Sequence, residues 1–434
     1  MPPDPTPALF EGPTGPTGPT DVLGPSSSPT ERLADFLVHS GAMLLAHACP
    51  SHRTEDILTD VARRFGYVAD VFSVPSAIWL GLARPGQPGQ IIRIARVGAW
   101  ALSLEKLAAV DAVFDELISG RIDLEAAEKA LSQVTHRPRE YGPVLEWVAG
   151  ALASAAAVLL YGGRLFEALM GAGIGLGFTV LSGLFAGRHD VRHLTPFFFG
   201  ALATALAWLA SYLEPELATQ PLIVAGVILF VPGVTLTIGL HELVQKNLIS
   251  GTGRLLDATM TLMSIVFGVM LVAAIAHGFG ASTLFLTKQH EIGADAPELV
   301  LATAVAGAAF SVLVGVPRRY LPAALGSCLA AGIFVEAAQL RFAQASLSAF
   351  FGALATGLYA NMMARWTRRP AQLFLVPGIV LLVPGTFGFL SFGKLFEGDV
   401  TGGASGAFQT LMVGAALATG IVVANAALPP RKAL

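Results

Sequence analysis

Beyond residue 142 the chain alternates long apolar runs with short polar interruptions. Each run is roughly 20 residues, the length an α-helix needs to cross ~30 Å of hydrocarbon. The pattern predicts ten membrane spans, at about 143–161, 165–186, 194–213, 221–241, 255–279, 297–316, 321–338, 347–364, 372–393 and 405–427. Residues 31–140 carry a different pattern. Glu31 to Ala48 is apolar at helical spacing, with Glu31, Arg32 and Asp35 on its polar side. A second helix opens at Ser51, the expected N-cap. Tyr67–Val74, Ala77–Leu82 and Ile91–Val97 are short β-branched or apolar runs divided by Pro and Gly, which predicts strands. Ser103 caps a helix that Gly120 stops, with Leu107, Val110, Phe114 and Leu117 facing inward, and Asp123 caps another that runs to Val134. The expected fold is a mainly α integral membrane protein preceded by a small soluble α/β domain over residues 31–140.

The membrane part repeats itself. The stretch Phe199-Gly-Ala-Leu-Ala-Thr-Ala-Leu-Ala-Trp208 returns as Phe351-Gly-Ala-Leu-Ala-Thr-Gly-Leu-Tyr-Ala360, a step of 152 residues. The same step carries Val231-Pro232-Gly233 onto Val383-Pro384-Gly385, Met260 onto Met412 and Gly268 onto Gly420. A first repeat is therefore expected over 141–285 and a second over 295–427. Five spans per copy is an odd number, so the second copy must cross in the opposite sense. Such inverted repeats are characteristic of secondary transporters.

Composition agrees with a chain that is mostly not solvated: 54% hydrophobic and 13% charged, with mean hydropathy +0.64, where soluble domains carry ~25% charge. A net charge of −3 gives no support for nucleic-acid binding. Cys49 and Cys328 lie in unlike regions and imply no disulfide framework. Residues 1–30 are rich in Pro, Gly and Thr, lack an apolar run, and are expected to be a disordered tail with no secretory signal. Loop charge orients the rest. With the soluble domain cytoplasmic, the inside loops and tail hold Arg188, Arg192, Lys246, Arg254, Arg318, Arg319, Arg365, Arg368, Arg369, Arg431 and Lys432. The outside loops hold only Arg164, Lys288, Arg341 and Lys394, and the acidic stretches Glu214-Pro215-Glu216 and Glu291 to Glu298. That asymmetry follows the positive-inside rule.

The matched Pro-Gly breaks are the leading candidate site: Pro232, Gly233 and Thr235 in one copy, Pro384, Gly385 and Thr386 in the other. Proline removes a backbone donor, and in hydrocarbon such breaks persist where they face protein or a wet cavity. The resulting half-helix ends offer carbonyls to cations and amides to carboxylates. A packing kink is the plainer reading of the same residues. The second copy carries a further Val376-Pro377-Gly378 where the first has Val224-Ala225-Gly226, and an additional break is expected there. Asp257 opens the fifth span and its repeat mate is Gln409, so both are candidate coupling residues. The alternative for Asp257 is an interfacial pair with Arg254, three residues back. His241 and Glu242 read as interfacial residues at the end of the fourth span, and Glu167 and Glu336 as weaker candidates. Gly171, Gly173, Gly175 and Gly177 suit close helix packing. His47, Cys49, His52 and Asp56 match no zinc spacing, and no phosphate-cradling loop is present, which disfavours an ATP-driven pump.

Several of these residues resemble the threonine/serine exporters. In the soluble part the likeness rests on Ser40-Gly41-Ala-Met-Leu-Leu, Arg53-Thr54-Glu55, Ile94-Ala-Arg96-Val, Leu104, Leu107, Gly120, Glu125-Ala126-Ala127 and Leu131. In the membrane part it rests on Leu229-Phe-Val-Pro-Gly-Val234 with Gly251 beyond, and on Phe374-Leu-Val-Pro-Gly-Ile-Val-Leu-Leu-Val-Pro-Gly385. The resemblance implies a carrier of about ten spans in the inner membrane, a proton-driven exporter of threonine and serine. Some members, split into two chains, are associated with dicarboxylate export. It supplies no settled functional residues, so the candidates above stand on the repeat.

The expectation is a non-enzymatic exporter of small polar amino acids, without cofactor or metal, working by alternating access. Its expected partners are the small-molecule substrate, protons and the lipid bilayer, with no nucleic acid; a homo-oligomer is left open. A dicarboxylate exporter, a passive channel and a membrane-anchored hydrolase using the soluble domain are the alternatives.

Overall fold

The structure is a computed structural model, and it describes residues 28–47, 49–98, 102–185, 193–214, 217–280, 296–383, 385–396 and 398–430. Pro384, the tail up to residue 27, the loops 186–192 and 281–295, and the C-terminal Arg431 and Lys432 lie outside the described residues.

The N-terminal domain is built from α1 (Pro29–Ala46), α2 (Ser51–Arg64), β1 (Val68–Val74), β2 (Ala77–Ala83), β3 (Ile91–Arg96), α3 (Leu104–Ile118) and α4 (Leu124–Thr135). The strands form one antiparallel sheet in the order β1-β2-β3. Alternation of side chains along a strand puts Ile78, Leu80 and Leu82 on the buried face, against Leu33, Leu37, Leu44, Leu58 and Phe114 from the helices. Ser103 and Asp123 accept from the Lys106 and Ala126 amides and cap α3 and α4. The first helix begins earlier than expected, because a capping box with Ser28 and Glu31 holds its start. Ser51 is not an N-cap: Pro50 takes that position, and the Ser51 hydroxyl donates instead to Ser250 Oγ at 2.8 Å.

The rest is helical: α5 (Pro143–Leu160), α6 (Leu165–Phe185), α7 (Thr195–Leu213), α8 (Thr219–Val227), α9 (Gly233–Val244), α10 (Leu248–Gly278), α11 (Ala296–Leu313), α12 (Leu321–Phe342), α13 (Ala345–Thr367), α14 (Gln372–Leu382), α15 (Gly385–Phe396) and α16 (Val400–Ala427). Among the described residues, eight helical stretches are long and apolar enough to cross a membrane. The fourth expected span is instead divided into α8 and α9, and α11 is among the shorter apolar helices. The fifth starts at Leu248, which places Asp257 ten residues into α10 rather than at its opening.

Helices 152 residues apart in sequence have equivalent neighbours. α7 packs on α8 and α10, as α13 packs on α14 and α16; α9 packs on α10, as α15 packs on α16. The repeated Phe-Gly-Ala-Leu-Ala-Thr stretch lies on these contacts. A methyl on Gly268 of α10 would strike the Phe197 carbonyl of α7, and one on Gly420 of α16 would strike the Phe350 carbonyl of α13. Gly171 and Gly175 bring α6 onto α5 at Ser154, whereas Gly173 and Gly177 face open space. Pro377 does not break its helix: α14 runs through it to Leu382. Pro377 and Gly378 are buried there, with Gly378 closed in by Thr356 and Ser327, so the packing holds the helix despite one lost backbone bond.

The N-terminal domain docks on one end of this bundle. The Leu104 amide donates to the Val314 carbonyl at 3.0 Å, and the Tyr141 hydroxyl donates to the Val316 carbonyl at 2.5 Å. Phe374, Leu373, Met363 and Ala324 join the domain's own hydrophobic core. Beside them a polar seam is fully enclosed. Glu242 accepts from the Ser51 amide at 3.0 Å and from Arg254 Nε at 3.2 Å. Glu242 and Arg254, 0% and 3% exposed, thus form a buried ion pair rather than an interfacial one.

Candidate functional site

The break between α8 and α9 has a defined local geometry. Pro232 has φ −78° and ψ 50°, and the Gly233 amide turns back to the Val231 carbonyl at 2.8 Å. This is an inverse γ-turn, and it interrupts the helix ladder between Phe230 and α9. The first-turn amides of a helix have no intrahelical acceptor, so Val234 and Thr235 present N–H groups at the start of α9. In the second copy α14 stops at Leu382, Val383 is extended, and α15 starts at Gly385.

The two breaks abut each other. A methyl on Gly233 would collide with Val383 Cγ1, and one on Gly385 would collide with Val231 Cγ1 and come within 3.4 Å of Gly233 Cα. Only glycine lets the two chain segments approach this closely.

A cavity of about 370 Å³ opens beside this crossing. Pro232, Gly233, Thr235, Asp257, Gly385 and Thr386 all line it. Further polar groups come from Tyr161, Ser182, Thr195 and Thr261. Apolar walls are supplied by Ile228, Phe230, Phe310 and Val383, among others. Among the described residues, Asp257 is the one lining residue with a formally charged side chain, and no Arg, Lys or His lines the space. The cavity extends to Leu102, in the segment that leads into α3. Gln409 is not part of it; it sits on an exposed face of α16. Arg254 makes its ion pair with Glu242, through Nε at 3.2 Å, and not with Asp257.

Other candidates have structural roles or none in this cavity. Glu167 is buried and accepts from the Arg164 and Ala218 amides at 2.6 and 3.0 Å, holding the two ends of α6 and α8 together. Glu336 is exposed. Burial pushes the Cys49 thiol up to about 11, which leaves it protonated and non-nucleophilic at neutral pH.

A family model described as "Putative threonine/serine exporter" matches residues 35–276, and one described as "Threonine/Serine exporter, ThrE" matches residues 299–427. The chain belongs to the threonine/serine exporter family. The first match spans both the N-terminal domain and the helices through α10, so the docked domain is a family feature and not an appendage. With its apolar helices, the exporter is a multi-pass membrane protein. A relative from Mycobacterium tuberculosis named "Probable threonine/serine exporter" is 25% identical over 91% of this chain and 74% of its own length. An uncharacterized protein of Schizosaccharomyces pombe is 21% identical over 83% of this chain but 44% of its own length. The "Pheromone-regulated membrane protein 10" of Debaryomyces hansenii is 21% identical over 80% of this chain and 35% of its own. No solved structure matches.

Sequence reasoning named six residues around the breaks; five of them line the cavity and Pro384 lies outside the described residues. It missed Tyr161, whose place just past α5 gave no signal beyond an aromatic at a helix end.

Proposed function

We propose that this chain is a secondary exporter of small hydroxylated amino acids, threonine and serine, driven by the proton gradient and working by alternating access around the two crossed breaks. The observation that carries the substrate class is the charge of the cavity. Among the described residues its lining holds one carboxylate, Asp257, several hydroxyls and no basic side chain. A buried-side site of that kind favours an ammonium group and a hydroxyl. A dicarboxylate would bring two negative charges beside Asp257 with no basic side chain among the described lining residues to meet them, so that reading is the weaker one. In the proposed pose the ammonium faces Asp257, the hydroxyl lies by Thr235 or Thr386, and the carboxylate meets the first-turn amides of Val234 and Thr235.

The two sets of helices are read as inverted repeats. Their shared neighbours, and the reciprocal contact of Val231 with Gly385 and Val383 with Gly233, support a two-fold relation through the site. Rocking one set against the other would then expose the crossing to either side in turn. The N-terminal domain is read as cytoplasmic in a protein of the inner membrane, because it docks on the end that carries Arg254, Arg318 and Arg369. A hydrolase in that domain is disfavoured by the protonated, enclosed Cys49. Asp257 is the proposed coupling group. Gln409, uncharged and exposed, is retained only as its counterpart in the repeat.

Proteoliposomes loaded with labelled threonine or labelled succinate, under an imposed proton gradient, test the reading. Threonine efflux that ceases when the gradient is collapsed is expected. Efflux of succinate alone overturns the substrate class, and gradient-independent flux overturns the coupling. An Asp257→Asn protein that still concentrates threonine at the wild-type rate removes Asp257 from the mechanism.

A further inference from the structure

A second cavity, of about 230 Å³, lies where the N-terminal domain meets the membrane helices. Its lining comes from α2, α9, α13, α14 and α16, with Pro430 beyond the last helix. α2 contributes His52 and Arg53, α9 contributes Thr237 and His241, and α14 contributes Gln372. Val234 lines both cavities, so the second lies on the other side of the first turn of α9.

Several of its polar atoms are left without a hydrogen-bond partner among the described residues. His52 Nδ1, Thr237 Oγ1 and Gln372 Oε1 are buried atoms with no hydrogen-bond partner among the described residues. Thr237 is only 2% exposed and faces this space. Buried polar groups are normally satisfied, and several orphans around one void mark a place where something else supplies the bonds. By contrast, the surrounding amides are engaged. Asn361 Nδ2 donates to Asn425 Oδ1 and to the Leu428 carbonyl, both at 2.8 Å. His241 shares a 2.8 Å hydrogen bond between its Nε2 and Gln245 Nε2. The amide can only donate, so the ring accepts at Nε2 and carries its proton on Nδ1.

Among the described residues the lining contains no Asp or Glu, whereas it contains Arg53, two imidazoles, a hydroxyl and three carboxamides. Its polarity is thus opposite to that of the first cavity, where the only charged lining residue among those described is Asp257. Donors without acidic neighbours recognise an anion, and Arg53 with a hydroxyl and an imidazole N–H suits a carboxylate. The volume is below the ~300–1,000 Å³ of pockets that take drug-sized ligands, so the occupant is a molecule of few heavy atoms.

We propose that this domain–membrane cavity is a second ligand site, one for a small hydroxylated monocarboxylate, held by Arg53, His52 and Thr237. The site needs no ammonium group on its ligand, and it stands whether or not the first cavity carries threonine. Its position gives it a consequence. A ligand there bridges α2 of the N-terminal domain to α9, and α9 begins at the break, so occupancy is coupled to the geometry of the crossing.

The probe is 3-hydroxybutyrate, which has the carboxylate and hydroxyl of threonine but no amine. Calorimetric titration into the full-length protein in nanodiscs is expected to show saturable binding in the wild type and in Asp257→Asn. Thr237→Val, which keeps the shape and removes the hydroxyl, is expected to weaken binding at least tenfold, and His52→Phe to do likewise, in proteins whose thermal unfolding is unchanged. Absence of saturable binding overturns the proposal and leaves the cavity to water. Binding that both variants retain in full also overturns it. Loss of binding in Asp257→Asn alone assigns the probe to the first cavity and overturns it as well. Failure of threonine transport assays, by contrast, bears only on the first cavity.

Discussion

Val383 fills the space in which Gly233 would carry a side chain, and its repeat mate Val231 does the same to Gly385. The two helix breaks therefore hold each other, and the crossing tolerates no added atom on either glycine. Gly233→Ala is expected to cost about 1–3 kcal/mol of stability through overpacking, and to slow transport more than a surface substitution would. Adding Val383→Ala removes the obstructing methyls and should return most of both. Denaturation and transport of the single and double variants check this; a Gly233→Ala protein with normal stability and flux would show that the contact is slack.

The hydroxyls of Tyr161 and Thr386 both face the first cavity. If Thr386 also meets the substrate hydroxyl, Thr386→Val removes one hydrogen bond of about 1 kcal/mol, or roughly fivefold in affinity. The expected result is a fivefold rise in KM for threonine with little change for alanine. An equal loss for both amino acids would place Thr386 in the scaffold and not at the substrate.

The seam between the N-terminal domain and the bundle depends on Glu242. It neutralises Arg254 and accepts the Ser51 amide at the start of α2, while the Ser51 and Ser250 hydroxyls bond beside it. Removing one member of a buried pair leaves the other charge uncompensated, at about 3–5 kcal/mol. Glu242→Ala should therefore destabilise the full-length protein by that order and expose the junction to protease. Glu242→Ala with Arg254→Met, which removes both charges, should recover part of the loss. Differential scanning in detergent and limited proteolysis measure the two effects.

Much of this architecture is legible in sequence because local rules decide it. The strands alternate and end at Pro and Gly, Ser103 and Asp123 cap their helices, and the Val-Pro-Gly breaks recur at one spacing. What escaped reading depends on distant partners. Ser51 has the composition of an N-cap, but its hydroxyl is claimed by Ser250, 199 residues away. Arg254 stands three residues from Asp257, yet the hairpin of α9 and α10 delivers Glu242 to it first. Pro377 reads as a break, and Thr356 and Ser327 close around the next residue and keep the helix whole. The second cavity was not visible at all, since α2, α9, α13, α14 and α16 each give it one or two polar residues that no local pattern ties together.

His52 gives the domain junction a pH dependence with a definite sign. Burial, aided by the charge of Arg53, pushes its imidazole down to about 4, so it is neutral in the fold at pH 7. His241 faces it across the junction, with ring centroids 5.9 Å apart. In the unfolded chain His52 titrates near ~6.5. The unfolded state therefore binds the extra proton between these values, and folding stability falls as pH drops from about 6.5 towards 4. Above that window the contribution is constant; below it the loss is complete, at up to roughly 3 kcal/mol. His52→Gln keeps a polar group at the position but does not titrate. Unfolding of both proteins at pH 7 and pH 4.5 measures the effect. The wild type should lose about 2–3 kcal/mol more than His52→Gln over that range. Equal losses would mean that His52 is protonated in the fold without penalty, and that the junction opens to water far more than its burial implies.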